Sequence, residues 1–60
     1  MRTIKNIDDE VIFSDTSDKA FVEFVQRIAV ENEDFQTSII GTSDAEEYLE
    51  DYCPDLTLID

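Results

Sequence analysis

The length of the chain is the feature that most limits its fold. A chain of 60 residues buries only about 60% of the surface that its unfolded form exposes, so it can build one small core and no second domain. The apolar fraction of 42% is ordinary for a folded protein. Phe21, Phe24 and Phe35 are large enough to anchor a core of this size. We therefore expect one folded domain rather than a disordered chain.

The charge of the chain is strongly negative and unevenly distributed. The formal net charge is −12, and all four basic residues lie within the first 27 positions. From Ile28 to Asp60 there are ten acidic residues and no basic residue. Such a charge repels phosphate backbones and anionic lipids, so we expect no direct binding to nucleic acid or to membranes. A partner is expected to be cationic, either a metal ion or a protein with a basic surface.

Several classes of protein are excluded by residue types that the chain lacks. Cys53 is the single cysteine, so there is no internal disulfide, and the absence of His excludes Cys/His zinc sites. We expect Cys53 to be a small apolar filler. No apolar run exceeds three residues, which excludes a membrane span and a signal peptide. The expected compartment is the cytoplasm.

Hydrophobic periodicity divides the chain into alternating strands and helices. Residues 1–10 are predicted to be a lead-in or edge segment, and residues 11–60 a single small α/β domain. The predicted elements of this domain are a strand at 11–13, a helix at about 17–31, a strand at 35–40, a helix from a Ser43/Glu46 capping box to Pro54, and a strand at 55–60. This order predicts a βαβαβ fold with a three-stranded parallel sheet.

Two acidic residues follow strands of the predicted sheet. Asp15 comes after the first strand and Asp60 ends the third. Because ligands of parallel α/β sheets bind at the carboxyl ends of the strands, the two carboxylates are expected to share one edge. Asp15 also fits an N-cap cluster at the start of the first helix, and the two roles are compatible.

Three segments extend this interpretation: VIFSD at 11–15, TSDAEEYL at 42–49 and PDLTLID at 54–60. In this order and spacing, residues 10–60 resemble the first half of a response-regulator receiver domain, the phosphoaccepting module of two-component signalling. The resemblance implies half of a doubly wound flavodoxin-like fold and therefore an incomplete receiver. It also implies that Asp60 is the phosphoacceptor and that Asp15 and Asp60 help to hold Mg²⁺. Receivers usually have a second acid where this chain has Ser14.

The second predicted helix carries an unusual group of charges. Glu46 with Glu50, and Glu47 with Asp51, are like-charge pairs four residues apart, and each costs about 0.2–0.5 kcal/mol. No Lys on this helix offsets them, so the pattern is either a solvated face or a docking face. Tyr48 and Tyr52 lie on the apolar stripe of the same helix and are expected to be core residues with their hydroxyls at the surface.

The alternative to a receiver is a complete small acidic inhibitor or antitoxin-like protein. Its acidic face, formed by Glu46, Glu47, Glu50 and Asp51, is expected to occupy a basic groove of a target protein, as a mimic of nucleic-acid charge. Both interpretations describe a regulatory protein that is not an enzyme. Because half of a receiver would leave a sheet edge and apolar helix faces uncovered, the receiver interpretation also predicts a homodimer or dependence on a partner.

Overall fold

The computed structural model describes residues 1–35 and 38–59, which form a three-stranded sheet with two helices on one of its faces. The elements in chain order are β1 (Arg2–Lys5), β2 (Val11–Asp15), α1 (Asp18–Glu31), α2 (Thr42–Tyr52) and β3 (Thr57–Ile59). The strand order in the sheet is β2-β1-β3. Both neighbours of β1 run antiparallel to it.

The predicted parallel βαβαβ sheet, half of a flavodoxin-like fold, is therefore wrong. The observed order is ββααβ, because the segment expected to be a lead-in or edge contains the central strand. Ile4 of β1 is fully buried and pairs with Phe13 on one side and with Leu58 on the other. Ile4 is the buried residue of this short central strand.

A side-chain hydrogen-bond network closes the hairpin between β1 and β2. The Asn6 Oδ1 atom accepts the backbone N–H groups of Asp8 at 3.0 Å and of Glu10 at 2.9 Å. Asp9 has a positive φ of 65°, a left-handed conformation that Asp adopts more readily than most residues. The acidic triplet is thus a hairpin loop, and this local connection pairs β1 with β2 at a small cost in chain entropy.

The strand predicted at 35–40 is not present in the part of this segment that the structure describes. Phe35 and residues 38–40 lie outside the strands, while residues 36 and 37 lie outside the described part of the chain. Ile39 is buried, whereas Phe35 and Ile40 are 74% and 80% exposed. The segment connects two helices that pack against each other, and the third strand of the sheet is β1 instead.

The other predicted elements are confirmed at nearly the expected positions. The strand at 11–13, the helix at 17–31, the second helix and the last strand correspond to β2, α1, α2 and β3. The core lies between the helices and the inner face of the sheet. Its buried helix residues are Phe21, Val22, Val25, Ala29, Ala45, Tyr48 and Leu49.

Each helix begins with a different cap. Ser17 Oγ accepts the Ala20 N–H at 3.2 Å at the start of α1. At the start of α2 the N-cap is Gly41, and the Asp44 carboxylate accepts the N–H groups of Ile40 and Gly41 at 3.2 and 3.4 Å. The predicted Ser43/Glu46 capping box is wrong, since Ser43 lies inside the helix and Asp44 performs this role.

Candidate functional site

The solvent side of α2 carries several exposed acidic residues and no basic residue. Burial of Ala45, Tyr48 and Leu49 determines which side of this helix faces the core. The residues that this orientation leaves exposed, called the acidic face here, are Asp44, Glu47, Glu50 and Asp51. The helix contains five acidic residues and no basic residue. The acidic face is therefore held in a defined orientation by the hydrophobic core on the other side of the helix.

The structure separates the four predicted partner-binding residues into two groups. Glu47, Glu50 and Asp51 are exposed on the acidic face, as a docking surface requires. Glu46 is half-buried, and its Oε1 atom lies 3.7 Å from Arg2 Nε. Because its charge is directed toward a residue of the same chain, Glu46 is the member of the group least suited to contact a partner. Asp44 completes the face, although its carboxylate also caps α2.

An exposed aromatic ring lies beside these carboxylates. The rings of Tyr48 and Tyr52 are stacked with centroids 5.0 Å apart. Tyr48 is 2% exposed and Tyr52 is 59% exposed, so the expectation of a core position is confirmed for Tyr48 and wrong for Tyr52. The residues that line a shallow cavity of about 170 Å³ at this place are Ser38, Asp44, Glu47, Tyr48, Asp51 and Tyr52.

This combination of groups has a definite chemical preference. A guanidinium group stacks on an aromatic face and forms paired hydrogen bonds with a carboxylate, which an ammonium group cannot do with the same geometry. Cations over Tyr rings gain about 0.5–1 kcal/mol at exposed sites. Asn32 Nδ2 donates to Tyr48 Oη at 3.3 Å, so the inner ring of the stack is attached to the end of α1. The cavity is suited to an arginine side chain.

The second candidate site was the sheet edge expected to carry Asp15 and Asp60. In the observed topology the carboxyl ends of β2 and β3 lie at the same end of the sheet, on either side of the amino end of β1. Asp15 is paired in register with Arg2, and its carboxylate accepts the Ser17 N–H at 2.9 Å. Asp15 thus belongs to the N-cap cluster of α1. Asp60, the predicted phosphoacceptor and metal ligand, lies outside the described residues.

Arg2 occupies the centre of this end of the sheet. Its guanidinium donates to Asp18 on α1, approaches Glu46 on α2 and lies 4.9 Å from the centroid of the Phe21 ring. One side chain of the central strand therefore contacts both helices. This role of Arg2 was not predicted from the sequence. It could have been inferred from the position of Arg2, two residues before the buried Ile4 and therefore on the same face of a strand.

The Mg²⁺ site that the receiver resemblance implies stays a prediction, because one of its two ligands, Asp60, lies outside the described residues. In residues 1–35 and 38–59, no three His, Cys, Asp or Glu residues are grouped so that they could hold a metal ion. The residue in register with Asp15 is a cation, Arg2, and the Asp15 carboxylate is already hydrogen-bonded to the backbone. A positively charged neighbour disfavours a second cation at this position.

Cys53 follows α2 as its C-cap residue and is buried. Burial raises the pKa of its thiol above the ordinary value of 9.0, and a hydrogen bond with Asn32 opposes this with a smaller effect. The thiol is protonated at neutral pH and is therefore a poor nucleophile. This environment agrees with the expected role of Cys53 as a small apolar filler.

Within the described part of the chain, no helix combines the length and the apolar character needed to cross a membrane. Comparison of the chain with known proteins finds no matching family, no similar curated protein and no similar solved structure.

Proposed function

We propose that this chain is a small acidic protein-interaction module that binds a basic surface of a partner protein through the acidic face of α2. The observation that carries the proposal is the exposure of Glu47, Glu50 and Asp51 on one helix that has no basic residue. The receiver interpretation depended on a parallel sheet, and that fold is contradicted by the antiparallel order. The acidic inhibitor or antitoxin-like interpretation does not depend on strand direction.

The charges of α2 oppose the stability of the helix that carries them. Glu47 and Asp51 are a like-charge pair four residues apart, which costs about 0.2–0.5 kcal/mol. Glu50 and Asp51 lie near the C-terminal end, where the helix dipole is already negative and where no basic residue is present. A cationic partner relieves both effects when it binds. The arrangement is therefore better explained by binding than by folding.

The anchoring of α2 makes this face a pre-organised binding surface. Tyr48 and Leu49 are almost fully buried, and Ala45 is fully buried. A partner that meets the acidic face does not need to order the helix, which reduces the entropic cost of association. The exposed Tyr52 ring adds a contact of the kind that dominates interface energies, since Tyr and Arg are enriched among the residues that matter most for binding.

These features together define the chemistry of the partner. Carboxylates beside a stacked tyrosine favour a groove rich in arginine over one rich in lysine. A groove of this kind often binds phosphate groups, so the proposed form of the activity is competition with an anionic ligand such as nucleic acid. Electrostatic attraction between the −12 chain and a basic groove also raises the association rate at low salt.

The test measures binding to two probe peptides of equal length and charge, one rich in arginine and one rich in lysine. The variant carries Glu47→Gln, Glu50→Gln and Asp51→Asn. The matched control carries Asp8→Asn, Asp9→Asn and Glu10→Gln in the hairpin loop, which changes the net charge equally. At about 0.2–1 kcal/mol for each of the three charges, we expect the α2 variant to weaken binding roughly 3- to 150-fold.

Three further results are expected from the same titrations. The control variant should lose clearly less affinity than the α2 variant, the arginine-rich peptide should bind more tightly, and affinity should fall as salt rises. Equal loss in the two variants would mean that net charge, and not this face, is responsible. Affinity that does not change with salt would contradict the proposal directly.

A further inference from the structure

The face of the sheet that points away from the helices has an unusual composition. Phe13 and Leu58 both pair with Ile4, and all three face the core, so the residues next to them in each strand face outward. A bulge in the β1–β2 pairing places two successive residues of β2 opposite Lys5. The residues of the open sheet face, as it is called here, are Thr3, Lys5, Val11, Ile12, Ser14, Thr57 and Ile59. The Thr3 and Ser14 hydroxyls are 3.5 Å apart, which is consistent with side chains on a common face.

Besides Lys5, this face consists of apolar and hydroxyl side chains. Val11, Ile12 and Ile59 are 57%, 39% and 43% exposed. Both helices pack on the opposite face, and no other described element covers this one. Its residues include no acid, although the chain has 16 acidic residues. The single basic residue, Lys5, is paired with Asp9 of the hairpin loop at 3.4 Å.

We propose that the open sheet face binds a second copy of this chain, face to face. The distribution of charge favours a second copy over a cationic partner. A cationic partner is attracted to the acidic face of α2, while a face with no unpaired charge among its strand residues offers such a partner no complement. A second copy supplies an equally uncharged surface. Isologous packing about a two-fold axis sets the apolar and hydroxyl side chains of the two copies against each other.

The same packing keeps the acidic faces of the two copies apart. Because the helices lie on the other side of each sheet, both acidic faces point away from the interface. The arrangement therefore brings two −12 chains together with little of the repulsion that any contact through α2 involves. The two proposed surfaces lie on opposite sides of the sheet, so the dimer does not depend on the function proposed above.

The size of the face determines the strength of the association. Three strands about 4.8 Å apart and roughly 13 Å long present much less than the ~800 Å² per partner of a standard interface. The dimer is accordingly weak, and salt strengthens it by screening the repulsion between the two negative chains. The dimer is therefore expected to strengthen as salt rises, whereas binding through α2 is expected to weaken.

Sedimentation equilibrium of the full chain over a range of concentrations and salt tests the proposal. We expect a monomer–dimer equilibrium that shifts toward dimer as salt rises. Ile12→Lys should raise the dissociation constant of the dimer at least about tenfold. The change also makes the net charge less negative, which by itself would favour association. The matched control is Val30→Lys, an equal change at a position of α1 that is 60% exposed, and it should leave the dimer intact.

Circular dichroism of each variant establishes that the fold is retained, and the milder Ile59→Thr supplies a second test if Ile12→Lys unfolds. Ile59→Thr should weaken the dimer less than Ile12→Lys and more than Val30→Lys. A chain that stays monomeric at about millimolar concentration in high salt overturns the proposal. Equal weakening by Ile12→Lys and Val30→Lys also overturns it. Neither result affects the peptide titrations that test the acidic face.

Discussion

The two helices of this protein are anchored in similar ways but carry opposite patterns of charge. On α1, residues Lys19, Glu23, Arg27 and Glu31 alternate in sign at a spacing of four and are all exposed. On α2, the pairs at the same spacing, 46 with 50 and 47 with 51, are all acidic. Opposite charges at this spacing stabilise a helix by about 0.2–0.5 kcal/mol per pair, and like charges destabilise it by similar amounts.

The difference separates stabilising charges from charges that need another explanation. The charges of α1 are accounted for by helix stability alone, and they leave this helix with a net charge of only −1. The charges of α2 act against helix stability, apart from Asp44 at the N-terminal cap and Glu46 near Arg2. The proposed partner binding is therefore assigned to α2. Substitutions in either helix test this difference between the two charge patterns.

The largest expected effect concerns the anchoring of α2. Tyr48→Ala removes an almost fully buried ring, and we expect it to lower the free energy of unfolding by about 3–5 kcal/mol. The matched change one turn later, Tyr52→Ala, removes an exposed ring and should cost less than about 1 kcal/mol. Urea denaturation followed by circular dichroism measures both. Similar losses in the two variants would mean that α2 is not held by Tyr48 in the way described.

An intermediate effect is expected from exchanging the charge patterns of the two helices. Glu50→Lys replaces a like-charge pair with Glu46 by an opposite-charge pair and places a cation in the last turn, so it should stabilise the protein by about 0.4–1 kcal/mol. Arg27→Glu converts two opposite-charge pairs, with Glu23 and with Glu31, into like-charge pairs and should destabilise the protein by about 0.8–2 kcal/mol. Thermal unfolding at low and high salt measures both changes, which should shrink as salt rises.

The same pair of variants links stability to binding. Glu50→Lys should weaken binding of the arginine-rich peptide while it stabilises the fold, whereas Arg27→Glu should not weaken binding. If Glu50→Lys instead destabilises the protein, the acidic residues of α2 have a structural role. The charges of α2 would then need no explanation by binding.

The smallest effect concerns the ends of the helices. The C-cap of α1 is Asn32, which does not titrate, and that of α2 is the buried Cys53. Because burial raises the pKa of the folded thiol above 9.0, its contribution to stability is complete below that pH. The contribution is lost as pH rises through the folded pKa, since only the unfolded thiol ionises readily. Wild-type protein should therefore lose more stability than Cys53→Ala between about pH 8 and 10.

Urea denaturation of both proteins across this range measures the difference in slope. The comparison with Cys53→Ala removes the pH effects that the two proteins share. Parallel pH profiles would show that the thiol is not buried in the folded protein.

Much of this fold could be predicted from patterns among residues that are close in sequence. The stripe formed by Phe21, Val25 and Ala29 identified α1, and Pro54 correctly indicated that α2 ends just before it. The acidic face was also predictable in its main residues, because burial of one side of an amphipathic helix exposes the other. Strand direction could not be predicted, because an apolar segment of three or four residues has the same pattern in a parallel and an antiparallel sheet.

Patterns among residues close in sequence predicted β2, both helices, the last strand and the concentration of carboxylates on α2. The structure was needed to show that Arg2–Lys5, rather than the segment predicted at 35–40, supplies the third strand of the sheet and lies at its centre. Sequence periodicity misses this strand, because one buried residue, Ile4, makes no periodic pattern in a segment of four residues. The Asn6 hairpin favours β1, since it pairs neighbouring strands through a short loop. That outcome places Arg2 between the helices, turns Glu46 inward and leaves Val11, Ile12 and Ile59 on an open face.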